Sequence, residues 1–181
     1  AIDADMIDAL LQACRAIERS DARVAILSGE GGRSFCAGGD IEAWSRLDAE
    51  AFSRRLLRDG HDAFNALARL TVPLIAVLNG HALGGGLELA ACADLRIAEA
   101  HVKIGQPEPG LGIIPGWSGT QRVARRFGAQ LVRRMALFGE VYTAEQALAL
   151  GLVDQVVATG EGQAAADAAA ARVLQRSPRA T

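Results

Sequence analysis

Lysine is almost missing from this chain. Of 19 basic residues only Lys103 is a lysine, and the rest are arginines. Against 21 acidic residues this leaves a formal charge of −2 and a pI near 5.9, which argues against a global pull toward nucleic acid or an anionic membrane. Half of the residues are hydrophobic, yet no apolar run approaches the ~18–20 residues of a membrane span. No basic stretch followed by an apolar segment and a small-residue cleavage site is visible, so a secretory leader is not expected. Cysteine is scarce: Cys14, Cys36 and Cys92 are odd in number and widely spaced. They form neither a disulfide framework nor a metal pattern, which points to a reducing, cytoplasmic setting. His61, His81 and His101 lack metal-ligand spacing, so no metal is expected. There is no internal repeat, and 181 residues suit one domain with a sizeable core.

Several chemical motifs are missing too. The cluster Gly84-Gly85-Gly86-Leu87-Glu88 lacks the G-K-[ST] ending of a P-loop and the G-x-G-x-x-G spacing of a dinucleotide fingerprint. Ser34 and Ser118 lie near glycines, but no G-x-S-x-G elbow exists, which leaves a serine nucleophile weakly supported.

What remains is a regular alternation. Asp3 to Arg19 carries apolar residues on one face at helical spacing, with Asp3 or Asp5 to cap its start. Val24 to Leu27 and Pro73 to Leu78 read as buried strands. The five glycines of Ser28 to Asp40 predict a loop. Helical periodicity returns over Ala49 to Leu70, although Gly60 weakens the case for one unbroken helix. Asn79-Gly80-His81 reads as a turn, and Gly85 to Ala93 as a short apolar helix. Leu95 to Ala98 and Val102 to Ile104 are two more strands, and Pro107 to Pro115 is a structured loop. Gly119 to Phe127, Ala129 to Phe138 and Thr143 to Leu150 are helices separated by glycines. Val153 to Val157 is the last strand, and Gln163 to Gln175 is an Ala-rich helix that Pro178 ends. Strands alternating with helices give an α/β class. Arg122, Arg125, Arg126, Arg133 and Arg134 read first as a solvated basic face, and less readily as a phosphate or subunit contact.

Two small-residue loops and two carboxylates carry the chemistry. Gly39 lies in Phe35-Cys36-Ala37-Gly38-Gly39-Asp40, and Gly85 lies where a strand hands over to a helix. Without side chains, their N–H groups are open to a ligand oxygen, and at Gly85 the helix start adds unpaired amides and a favourable dipole. Ordinary turn glycines are the plainer alternative. Glu88 is the sole charge in an apolar helix, where burial would raise its pKa toward a useful acid–base range. Its alternative role is to meet the helix dipole. Glu108, held between Pro107 and Pro109, is either catalytic or a turn cap.

Four segments then resemble one family. R-S-F-C-A-G-G-D-I (33–41), the run from 73 to 98 around L-G-G-G-L-E, K-I-G-Q-P-E-P-G-L-G-I-I-P-G-W-S-G-T-Q-R (103–122) and T-A-E-Q-A-L-A-L-G-L-V-D-Q-V-V (143–157) are similar to the enoyl-CoA hydratase/isomerase (crotonase) superfamily. The resemblance covers nearly the whole chain. It implies a crotonase-like (ClpP/crotonase) spiral of ββα units and a trimer or dimer of trimers. It also implies an oxyanion hole at the Gly39 and Gly85 amides, a catalytic pair Glu88 and Glu108, and Gly116 beside the attacking water. Ala37, Gly38, Gly39, Asp40 and Ile41 match the strip that contacts acyl-CoA. The substrate brings its own coenzyme A, and no separate cofactor is implied.

Both acids are present, which favours a hydratase of 2-enoyl-CoA thioesters over a Δ3,Δ2-enoyl-CoA isomerase on the same scaffold. A non-enzymatic, RNA-binding relative is the third reading, and the single lysine and net negative charge count against it. The family's first β-hairpin and its last helices have no counterpart here, so the resemblance implies a longer protein. Trp117, bulky in a loop that is often richer in glycine, is expected to narrow the acyl pocket.

Overall fold

A computed structural model describes residues 1–178. Helix α1 (Ala4–Glu18) is capped by Asp3, whose carboxylate accepts the Met6 N–H at 2.8 Å; this settles the choice between Asp3 and Asp5. It buries Ile7 and Cys14, while Met6 from the predicted apolar face is 52% exposed. Strands β1 (Ala25–Ser28) and β2 (Ser34–Cys36) follow. Next come α2 (Ile41–Ser45), α3 (Ala49–Ala51), a π-helical stretch Phe52–Asp59 and α4 (Gly60–Ala68). The helix predicted over 49–70 is therefore real but changes winding at Gly60. Contact accounts for the glycine itself: a Cβ on Gly60 would overlap the indole nitrogen of Trp117.

The next pair is β3 (Leu74–Leu78) and β4 (His81–Leu83), leading into α5 (Gly85–Ala90). Then come β5 (Leu95–Glu99), β6 (Lys103–Gly105) and a 3₁₀ turn, Glu108–Leu111. A second π-helical stretch, Gly119–Val123, runs into α6 (Ala124–Phe127) and α7 (Ala129–Phe138). Strand β7 (Val141–Thr143), α8 (Ala144–Ala149), β8 (Gln155–Val157) and α9 (Gly162–Leu174) complete the order.

Two four-stranded sheets result, ordered β1-β3-β5-β8 and β2-β4-β6-β7. Every pairing is parallel except β6 with β7. Each strand pair puts one strand into each sheet, so the chain advances as a spiral of ββα turns, as the resemblance implies. β3 is central and wholly buried. β1 is an edge strand and alternates between half-buried and exposed residues, so the expectation of a buried strand there is corrected.

Three short strands escape the local pattern. β2 lies inside the predicted loop over Ser28 to Asp40, β4 begins at the predicted turn residue His81, and β7 lies between two helices. Each is three residues long and exists because a neighbour supplies its hydrogen bonds. The stretch Pro107 to Pro115 likewise contains a 3₁₀ turn and is not loop throughout.

Parallel strands bring the two glycine loops together. β2 pairs with β4, so the loops after their ends are neighbours. A Cβ on Gly86 would overlap the Cys36 carbonyl oxygen, and one on Gly85 would lie 3.4 Å from the Gly38 Cα. Only glycine lets α5 seat against β2 this closely. Ile2 then pins the first loop: its N–H donates to Gly38 O at 2.8 Å and its carbonyl accepts from Asp40 N–H at 2.8 Å. The Trp44 indole N–H adds a third bond to Ile2 O.

Candidate active site

Glu88 projects from the first turn of α5 and is 1% exposed. Its Oε1 accepts two backbone N–H groups, from Trp117 at 2.7 Å and from Gly119 at 2.5 Å. Its Oε2 is buried and has no partner among the described residues. Burial raises its pKa to about 7; the two amides and Arg122 oppose that rise, and the charge of Glu108 adds to it. Glu88 lies in the first turn of α5, as the dipole-meeting reading expects, and it is also enclosed and bonded to a turn some thirty residues away.

The turn that grips it is itself unusual. Ser118 has φ 80°, the only positive φ at a non-glycine residue among the described ones, a conformation that costs on the order of 1–3 kcal/mol. It is held from several sides. Ser118 O accepts the N–H groups of Gln121, Arg122 and Val123 at 3.1, 2.6 and 3.3 Å. Its hydroxyl meets His61 Nδ1 at 3.2 Å. Arg122 bonds Asn65 Oδ1 at 2.6 Å and reaches Trp117 O at 3.5 Å. Arg126 donates to Ala93 O, and Arg134 pairs with Glu140 at 2.8 Å. Arg122, Arg126 and Arg134 thus have structural partners, while Arg125, Arg126 and Arg133 are exposed, as a solvated face expects.

Glu108 arrives from the 3₁₀ turn after β6 and is 6% exposed. A Cβ on Gly84 would sit 3.0 Å from its Oε1, so the carboxylate lies over the turn that opens α5. Burial raises its pKa as well, against an opposing bond from its own N–H. Its Oε2 is buried without a partner among the described residues. Its carboxylate also meets its own N–H at the start of the 3₁₀ turn, so the turn-capping reading stands beside the catalytic one.

Gln106 belongs to the same site, and sequence reasoning assigned it no role. It is wholly buried, and neither its amide oxygen nor its amide nitrogen has a partner among the described residues. The signal was present in Gly105-Gln106-Pro107-Glu108, where a large amide closes a buried strand. Gly119 places it: a Cβ there would overlap Gln106 Nε2 and stand 2.9 Å from Glu88 Oε1.

Five buried side-chain polar atoms lack a partner among the described residues, and four of them are on Glu88, Gln106 and Glu108. Each such atom costs about 1–3 kcal/mol, so this concentration marks a place where the fold holds polar groups ready for something else to bind.

The other sequence-predicted residues fall around this centre. Gly85 N–H opens α5, and neither it nor Gly39 N–H has an acceptor among the described residues. Gly116 directly precedes Trp117 and has open space on its Cβ side, with only Leu57 at 3.9 Å. Ala37 and Ile41 are exposed, and Gly38 is buried. Asp40 is used by the fold: its Oδ1 accepts Ala43 N–H at 2.9 Å and caps α2. One of its two carboxylate oxygens is therefore committed to the helix start. All three cysteines are free and buried. Among the described residues no group of three His, Cys, Asp or Glu side chains is placed to hold a metal, and no helix is long and apolar enough to cross a membrane.

The sequence model of enoyl-CoA hydratase/isomerase matches residues 1–181. The chain is 37% identical over 177 residues to a crotonyl-CoA hydratase of Syntrophomonas wolfei, covering 97% of this chain and 68% of the relative. It is 38% identical over 159 residues to a short-chain-enoyl-CoA hydratase of Clostridium acetobutylicum, covering 88% of this chain and 60% of that one. The solved enoyl-CoA hydratase of Bacillus anthracis superposes with a TM-score of 0.93 at 31% identity, over 98% of this chain and 69% of that one. Matching motifs, an α/β spiral of the same shape and a family match along the entire length lead to one assignment: the chain belongs to the enoyl-CoA hydratase/isomerase family, with enoyl-CoA hydratases among its relatives.

Proposed function

We propose that this protein is a hydro-lyase that adds water across the C2–C3 double bond of a 2-trans-enoyl-CoA thioester. One observation carries the reading. Two neighbouring carboxylates, Glu88 and Glu108, are both buried and raised in pKa, and each keeps one oxygen without a partner among the described residues. Two such oxygens suit a water molecule that must lose one proton while another is delivered nearby.

The step balances without an oxidant or reductant. The water O–H bond breaks, a C3–O bond and a C2–H bond form, and the C2–C3 π bond is consumed. One carboxylate takes the water proton and the other supplies the proton to C2. Negative charge develops on the thioester oxygen, and the Gly39 and Gly85 N–H groups hold it. Removing one such donor typically costs about 2.7–4 kcal/mol of transition-state stabilisation. Gly116 N–H and the Gln106 amide border the water. Ala37 to Ile41 receives the coenzyme A portion, for which the exposure of Ala37 and Ile41 is suited. No cofactor enters the reaction as written. The same reading takes the protein to be a homotrimer or dimer of trimers, as its family resemblance implies, in the cytoplasmic setting that its three unpaired cysteines suggest.

The test is direct. Crotonyl-CoA and a 3-enoyl-CoA are offered separately to the purified protein. Loss of conjugated-thioester absorbance with crotonyl-CoA supports hydration. Conversion of the 3-enoyl substrate alone, with crotonyl-CoA untouched, would replace hydration with isomerisation.

A further inference from the structure

We propose that Trp117 closes the acyl end of this site and restricts the substrate to short enoyl chains. The inference rests on the acyl-CoA reading above and goes past it, to the size of the acyl group.

The indole is 4% exposed and wedged between two structures. On one side, its Cζ3 and Cε3 lie 2.5 and 2.8 Å from where a Cβ on Gly85 would be, and its Cη2 lies 3.2 Å from the same position on Gly39. The ring therefore rests on both glycines whose amides face the thioester oxygen. On the other side, its Nε1–H donates to Leu56 O at 2.7 Å. The ring stacks on Phe64 with centroids 5.2 Å apart and planes 28° apart. Gly60 leaves out the side chain that would otherwise occupy the indole's place. The backbone N–H of the same residue is on Glu88 Oε1, so the ring starts beside the reacting carbons and runs to the helical segment 52–68.

Without that ring, a corridor would run from the two glycines to Leu56, Gly60 and Phe64. Its walls are mostly apolar, which is the chemistry an alkyl tail requires. With the ring in place, a tail extending past C3 toward this segment meets a fixed indole. Swinging it aside breaks a partly buried hydrogen bond and an aromatic stack together. One methylene that does not fit a pocket changes specificity by roughly 10–200-fold, so a wedge of this size is decisive.

The experiment compares kcat/KM for trans-2-enoyl-CoAs of four, six, eight and ten carbons in the wild type, W117A and W117F. The wild type is expected to fall by at least about 100-fold from four to ten carbons. W117A is expected to raise the ten-to-four ratio at least about 10-fold, with W117F between them. Because the substitution also disturbs packing beside Glu88, the ratio is read and not the absolute rate. A second arm measures dissociation constants of saturated butyryl-CoA and decanoyl-CoA, with W117F in reserve should W117A fail to fold. The wild type should favour butyryl-CoA, and the variant should reverse or erase the preference. Equal wild-type rates at all lengths, or a ratio unmoved in both variants, would overturn the proposal. Failure of the hydratase reading looks different: the wild type would leave even crotonyl-CoA unchanged, while the binding arm would still report on Trp117.

Discussion

A Glu88→Gln variant loses hydration of crotonyl-CoA by about 10²–10⁴-fold and becomes more stable than the wild type at pH 8. Both effects come from one carboxyl group. Its folded pKa of about 7 lies above the ordinary 4.5. Below pH 4.5 the group is protonated in both states and costs nothing extra. Between 4.5 and 7 the unfolded chain ionises while the folded one holds its proton, so wild-type stability declines as pH rises through this window. At about 1.36 kcal/mol per pKa unit, the accumulated loss above pH 7 is about 3 kcal/mol. Glutamine does not titrate. Its carbonyl can still accept the Trp117 and Gly119 N–H groups, and its NH₂ faces the side where Glu88 Oε2 had no partner. Urea unfolding at pH 5 and pH 8 should show a gap between variant and wild type that widens at the higher pH. An unchanged gap would mean that Glu88 is not held near pKa 7. Glu108→Gln should lose hydration to a similar extent, and wild-type turnover in that variant would remove Glu108 from the mechanism.

Gly119→Ala is expected to lower kcat/KM about 100-fold and stability by about 1–3 kcal/mol. The added methyl would overlap Gln106 Nε2, stand 2.5 Å from Pro115 Cβ and stand 2.9 Å from Glu88 Oε1. None of these neighbours is the loose end of an exposed chain. Glu88 has to retreat from the Gly119 N–H or the turn has to open, and a displacement of about 1 Å at a reacting group is worth about 100-fold in rate. Gly32→Ala is the natural control, since a Cβ there meets nothing within 4 Å and the φ is not positive; it should stay within about 0.5 kcal/mol of the wild type. If both variants behave alike, the crowding around Glu88 is not what fixes its position.

These two sites differ in how far the sequence alone reveals them. Glu88 was legible because an acid inside Leu87 to Ala93 contradicts its surroundings, and a contradiction of that kind asks for a function. Glu108 was legible through its flanking prolines. The strand Leu74–Leu78 was legible because complete burial writes a continuous apolar run. Ser34–Cys36, His81–Leu83 and Val141–Thr143 were not, because three residues hold too little periodicity and their pairing partners are remote in sequence. The π winding of Phe52–Asp59 was equally hidden, since apolar spacing reports a helical face and not the hydrogen-bond register. Gln106 and the contacts of Trp117 with Gly39, Gly60 and Gly85 depend on approaches between distant segments. A single sequence names such residues but does not say that they touch.

The central claim is geometric: two buried acids and two glycine amides surround one carbon–carbon bond. The most direct measurement is a structure of the protein with a non-hydratable acyl-CoA bound. The thioester oxygen is predicted to lie 2.7–3.1 Å from both Gly39 N and Gly85 N, with Glu88 Oε2 and Glu108 Oε2 within hydrogen-bonding reach of a single water over C3. A thioester seated away from those amides, or either carboxylate turned out to solvent in the complex, would contradict the account.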